Sequence, residues 1–161
     1  MKKNKIQKTN AMRVLENHKI KYDVHEYAWN EEHTDAKTAA EKVSIPFEKI
    51  YKTLVAAGNN TGVIAACIPA SKELDLKKFA KASGNKKVDM LHIKDLEKTT
   101  GYIRGGCSPV GMKKLFPTYI AAEAEAMETI IVSAGKRGMQ MELPPGDLIE
   151  VTSGEFADIT E

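Results

Sequence analysis

Apolar residues recur along this chain in short runs, and each change in their period marks an element. Met12, Val14 and Leu15 form one side of a segment from Thr9 to about Asn17, which predicts a first helix capped by Thr9 or Asn10. Tyr22-Asp23-Val24-His25-Glu26-Tyr27 alternates with period two and predicts a strand. Residues 35–43 are good helix formers and predict a short helix begun near Thr34, and Pro46 is expected at the first position of a helical turn through Phe47-Glu48-Lys49. The apolar runs 52–57 and 63–68 flank Gly58-Asn59-Asn60-Thr61-Gly62, a hairpin signal. A helix over 75–83 is stopped by Gly84-Asn85. A short strand is expected over 88–91 and a helix over 93–99. Further strands are expected over 119–122, 129–133 and 139–143, the last following the turn Ala134-Gly135-Lys136-Arg137-Gly138. Pro144-Pro145-Gly146 breaks the chain before a short helix over 147–151, and 156–159 reads as a last strand.

These elements make one mixed α/β domain over residues 1–161, with residues 1–8 a loose basic N-terminus. Their spacing is too irregular for a doubly wound sheet. At 161 residues, with 42% hydrophobic and 29% charged side chains, the chain is long enough to bury a core without disulfide or metal staples. A net charge of +2 supplies no broad positive field, so attraction to nucleic acid falls to local clusters such as Lys77-Lys78-Lys81, Lys86-Lys87 and Lys113-Lys114. Each cluster is equally readable as a solvated face. The longest apolar run is far too short to span a bilayer, so no membrane association is expected. Gln7, Lys8 and Asn10 stand where a signal peptide needs apolar residues, which points to the cytoplasm. Cys67 and Cys107 read as reduced thiols, and His18, His25, His33 and His92 show no metal-ligand spacing, so no metal or other cofactor is expected.

Candidate chemistry sits in three places. From Gly101 to Gly111, four glycines and Pro109 impose a sharp turn that bares backbone N–H groups beside Arg104. Such donors suit an anionic or carbonyl-bearing ligand, and the alternative is plain chain reversal. Lys52 opens a buried run after Ile50-Tyr51, either aiming its ammonium into a cleft or laying its stem along the surface. The second basic glycine turn, Ser133 to Gly138, could line the same pocket and bring Lys136 or Arg137 to a phosphate, or it could be a solvated hairpin tip. No phosphate-binding glycine motif and no marked nucleophile–base pair accompanies them, and Cys107 reads as a small buried thiol.

In order along the chain, Val24-His25-Glu26-Tyr27, Ile50-Tyr51-Lys52-Thr53-Leu54 and Glu73-Leu74-Asp75-Leu76-Lys77-Lys78 are followed by Lys86-Lys87-Val88 and Thr100-Gly101-Tyr102. Gly105-Gly106-Cys107-Ser108-Pro109-Val110-Gly111, Val132-Ser133-Ala134-Gly135-Lys136-Arg137-Gly138 and Phe156-Ala157-Asp158-Ile159 complete the set. This ordered set resembles the YbaK/EbsC family, free-standing relatives of the editing domain of prolyl-tRNA synthetase, and within it the Cys-tRNA(Pro) deacylase branch. The resemblance implies a mixed, partly closed β-barrel surrounded by helices. It implies an aminoacyl-tRNA deacylase acting chiefly on Cys-tRNA(Pro), with Cys-tRNA(Cys) as a further substrate and prolyl-tRNA synthetase as partner. It assigns Lys52 and Gly105 to catalysis and Tyr27, Ser133, Gly106 and Arg137 to substrate binding. The substrate's own thiol is expected to attack its ester, which removes the need for a protein nucleophile. Gln140 stands where the family often has an aspartate, so no carboxylate is carried over to that position. The alternatives are a deacylase for Ala-tRNA(Pro) or another small amino acid, and a catalytically silent module that binds tRNA or a synthetase.

Overall fold

The structure is a computed structural model that describes residues 8–26 and 46–161. Residues 1–7, Tyr27 and the helix expected over 35–43 lie outside the described residues. The first helix, α1 (Asn10–Asn17), is capped by Thr9, whose hydroxyl accepts from the Met12 N–H. Its buried face is Ala11, Met12 and Leu15, while Val14 is only partly covered. Strand β1 (Asp23–Glu26) follows, and Pro46 precedes the 3-10 turn Phe47–Lys49 as its cap instead of entering it.

Strands β2 (Tyr51–Gly58) and β3 (Gly62–Pro69) form the expected hairpin, with Gly58 paired to Gly62 and Asn59-Asn60-Thr61 as the loop. Helix α2 (Leu76–Ser83) is capped by Asp75 and ends at left-handed Gly84. Strand β4 (Val88–Met90) pairs with β2, and helix α3 (Ile93–Thr100) leads into the glycine-rich loop. Strand β5 (Thr118–Ala121) continues directly into a 3-10 turn, Ala122–Ala126. Strands β6 (Ile130–Lys136) and β7 (Met139–Leu143) then form a second hairpin. Helix α4 (Pro145–Thr152) starts earlier than the Pro-Pro-Gly sequence suggested. Pro145 occupies its first turn, where a missing N–H costs nothing. Strand β8 (Glu155–Ala157) is shorter than expected, because the chain past it turns to bridge Leu74 through Thr160.

The described strands form a three-stranded sheet, β1-β7-β6, and a five-stranded sheet, β4-β2-β3-β5-β8. β5 runs parallel to both β3 and β8, and the other strand pairs are antiparallel. The fold is mixed α/β, with four α-helices among the described residues. The described pairings do not close into a barrel. Among the described residues the sheets meet at one parallel bridge, Ile50 to Ile131 on the edge strand β6, and the other edges are β1, β4 and β8. Apolar side chains from both sheets and from α1, α2 and α4 share one core, in which Phe79 meets Tyr119 edge-on at 5.7 Å.

Candidate active site

A cleft of about 460 Å³ opens where the two sheets meet. The Ile50–Ile131 bridge sets its geometry. Because the strands run in the same direction there, Lys52 and Ser133, each two residues further on, come level on the same face. Both line the cleft, and both are half-buried. Lys52 has no hydrogen-bond or ion-pair partner among the described residues, so its ammonium is available to a ligand. Ser133 Oγ accepts from the Gly135 N–H at 3.1 Å, which orients the hydroxyl and leaves its proton uncommitted to any described residue.

The glycine-rich loop contributes Arg104, Gly105 and Cys107 to the lining. Its shape is held from both ends. The Tyr102 hydroxyl donates to the Val110 carbonyl at 2.6 Å, and the Asn10 amide donates to the Gly111 carbonyl at 2.8 Å. The loop is also clamped to the β6–β7 turn. Arg137 Nε donates to the Arg104 carbonyl at 2.8 Å, and a Cβ on Gly106 would lie 3.1 Å from the Arg137 backbone nitrogen. Tyr102 packs so closely under Gly135 that a Cβ there would stand 2.8 Å from the ring. The two glycine turns therefore share one junction, and the bulge between Ser133 and Lys136 carries β6 past its expected end to reach it.

This arrangement separates the sequence-predicted residues. Lys52, Gly105 and Ser133 line the cleft, and Gly106 and Arg137 are not among its lining residues. The Gly106 N–H is committed to the Ile103 carbonyl at 2.9 Å, whereas the N–H of Gly105, held at a φ of +85°, has no partner among the described residues. Arg137 supports Gly105 and its loop through the Arg104 carbonyl. Tyr27 lies outside the described residues.

Cys107 is 8% exposed, and burial pushes its thiol up to about 11, with a smaller opposing effect from Thr100. It is a protonated thiol near neutral pH, not a nucleophile. Two features were not signalled by residue type. Met90 at the end of β4, Leu91 just past it, and Ile93 and Leu96 on α3 give the cleft an apolar lining, and their spacing along the chain does not show that they face a cavity. Beyond Gln140 on β7, Glu142 accepts from Lys49 at 2.7 Å, from His25 at 2.9 Å and from Thr129. Burial opposes its charge, but these three hydrogen bonds prevail and lower its carboxyl to about 2. No described carboxylate lines the cleft, and no group of three metal-ligating side chains occurs among the described residues.

An ammonium without a partner among the described residues, an oriented hydroxyl and a loop N–H beside apolar side chains suit a ligand that carries ester, carbonyl or phosphate oxygens. The family model of the aminoacyl-tRNA editing domain matches residues 30–151, and the chain belongs to that family. It is 62% identical over 159 residues to a protein of Enterococcus faecalis named as a candidate Cys-tRNA(Pro)/Cys-tRNA(Cys) deacylase, EbsC, covering 99% of this chain and 97% of that one. It is 28% identical over 112 residues to YwhH of Bacillus subtilis, covering 70% and 71% of the two chains. Among solved structures, a candidate trans-editing enzyme for prolyl-tRNA synthetase has the same fold, with a TM-score of 0.81 at 24% identity over 94% of this chain and 95% of that one.

Proposed function

We propose that this protein is an aminoacyl-tRNA deacylase that removes cysteine from tRNA(Pro), and from tRNA(Cys) as a further substrate, with residues 1–161 acting as one cytoplasmic editing domain. The observation that carries this reading is the convergence of Lys52, Ser133 and the Gly105 N–H on one cleft, in a chain so similar to EbsC. In this reading the substrate's thiolate sulfur attacks its own ester carbonyl. The C–S bond forms, the C–O bond to the terminal ribose breaks, and the products are free tRNA and a β-thiolactone. The proton lost by the thiol ends on the ribose oxygen, so no co-reactant is consumed. The Gly105 N–H faces the developing oxyanion, and the Lys52 ammonium stabilises the charge on the departing oxygen. Ser133 and Tyr27 hold the aminoacyl group, while Gly106 and Arg137 fix the loop. The raised Cys107 thiol supports leaving the nucleophile to the substrate.

The test is a set of deacylation assays on Cys-tRNA(Pro), Cys-tRNA(Cys), Ala-tRNA(Pro) and S-methylcysteinyl-tRNA(Pro). Both cysteinyl esters should be cleared and the S-methyl ester spared, and Lys52→Ala should slow clearance by about a hundredfold or more. Full activity in Lys52→Ala would remove that residue from the chemistry. Faster clearance of alanine would move the substrate assignment, and a flat assay with intact tRNA binding would leave a silent binding module.

A further inference from the structure

Among the described residues, two buried side-chain polar atoms have no hydrogen-bond partner, Thr53 Oγ1 and Gln140 Oε1, and both residues line the cleft. Thr53 lies close enough to Cys67 to lower that thiol slightly, without reaching it in hydrogen-bond geometry. Gln140 is 8% exposed in the central strand of the β1-β7-β6 sheet, paired to Ser133 on one side and His25 on the other. His25 Nε2 is taken by Glu142, and Ser133 Oγ accepts from the Gly135 N–H and makes no hydrogen bond to Gln140. Proteins seldom leave a buried amide oxygen unpaired, and at a cleft wall a ligand donor is one group that can complete it.

The rest of the cleft shows which ligand group is missing. Lys52, Arg104 and the Gly105 N–H are donors, and Ser133 and Thr53 are hydroxyls that can serve either way. With no described carboxylate lining the cleft, Gln140 Oε1 is the one side-chain oxygen there, among the described residues, that can only accept. An aminoacyl ester offers oxygens to the donors, and its amino group is the part that donates through several N–H bonds at once.

We propose that Gln140 is a specificity-determining residue that accepts a hydrogen bond from the α-amino group of the bound aminoacyl ester. This rests on the reading of the cleft as an aminoacyl-ester site. An amide in this place recognises the amine by geometry without adding negative charge beside Lys52, so the cleft stays positive for the thiolate and the oxyanion.

The test pairs Gln140→Met, an apolar side chain of similar length, with a ligand lacking the amine. Binding is measured by calorimetry for the unreactive amide 3′-deoxy-3′-(cysteinylamino)adenosine and its 3-mercaptopropionyl counterpart, and turnover for the two corresponding tRNA(Pro) esters. Gln140→Met should weaken the cysteinyl ligand roughly ten- to hundredfold and leave the desamino ligand unchanged. Gln140→Glu, which keeps an acceptor, should retain the preference for the amine. Because the unliganded oxygen is unsatisfied, Gln140→Met should match or exceed the wild-type thermal midpoint, whereas a purely structural Gln140 would lower it. Equal weakening of both ligands, no weakening of either, or no binding of the cysteinyl amide by wild type would overturn the proposal. Wild type that binds the amide with the Gln140 dependence but does not deacylate Cys-tRNA(Pro) would sink the deacylase reading and leave the amino contact standing.

Discussion

Cys107 and Glu142 owe their ionisation to what surrounds them. Both described cysteines are buried, Cys67 pushed up to about 12 and Cys107 to about 11 by burial, so alkylation near neutral pH should be far slower than for a free thiol and should accelerate on unfolding. A fast-reacting Cys107, detected by mass spectrometry of a brief alkylation, would contradict its buried environment. Glu142 is shifted the other way, to about 2. A carboxyl lowered by folding adds stability above its unfolded value, and that stability is lost as pH falls through the folded one. Acid should therefore lower the unfolding midpoint progressively between about pH 5 and pH 2. Glu142→Gln should flatten that dependence and cost about 1–3 kcal/mol near neutral pH, read from denaturant melts at several pH values, because it removes the charge and one of the two acceptor oxygens shared by Lys49 and His25. None of this was visible in residue order: Lys49 and His25 lie far from Glu142 along the chain.

Elements were more legible than their junctions. Apolar period and turn residues placed both hairpins and most helices, since strand alternation and glycine stops are local properties. The β2–β3 hairpin tip shows what locality misses. Asn85 Oδ1 accepts from the N–H groups of Asn60 and Thr61 at 2.8 and 3.0 Å, and Asn59 Oδ1 accepts from those of Lys86 and Lys87. The loop after α2 thus grips the hairpin, and Gly58 has no room for a Cβ beside Asn85. Asn85→Ala should cost about 1–3 kcal/mol, measured by urea unfolding, because two loop N–H groups lose their acceptor. The two glycine turns of the site follow the same logic. Each was recognisable alone, but the Tyr102–Gly135 contact joins them. Gly135→Ala should lower the thermal midpoint and deacylation together, since its φ of +98° and the ring beneath both oppose a Cβ.

Over the whole molecule, the cleft is assembled from β2, α3, the glycine-rich loop and the β6–β7 hairpin, which no single stretch of chain contains. Its small net charge also shapes how a polyanion would be held. Binding of Cys-tRNA(Pro) alone should be weak and fall steeply with added salt, and prolyl-tRNA synthetase should tighten it. Filter binding across a salt series, with and without the synthetase, checks both, and equal affinity in the two arms would count against the partnership. No helix among the described residues is long and apolar enough to cross a membrane.

Periodicity and turn chemistry sufficed for the α/β class and for most element positions, because these depend on neighbours in the chain. The ordered motifs sufficed for the family. Which lysine faces a cavity was decided by packing. Lys52 is a cleft residue because a parallel bridge between Ile50 and Ile131 sets it level with Ser133. Of the two adjacent glycines only Gly105 keeps its N–H unpaired because a turn consumes that of Gly106, and the Gln140 amide oxygen is buried without a partner among the described residues. Burial and unmet hydrogen bonds are relations between distant segments, and they come into being only when the sheets close against each other.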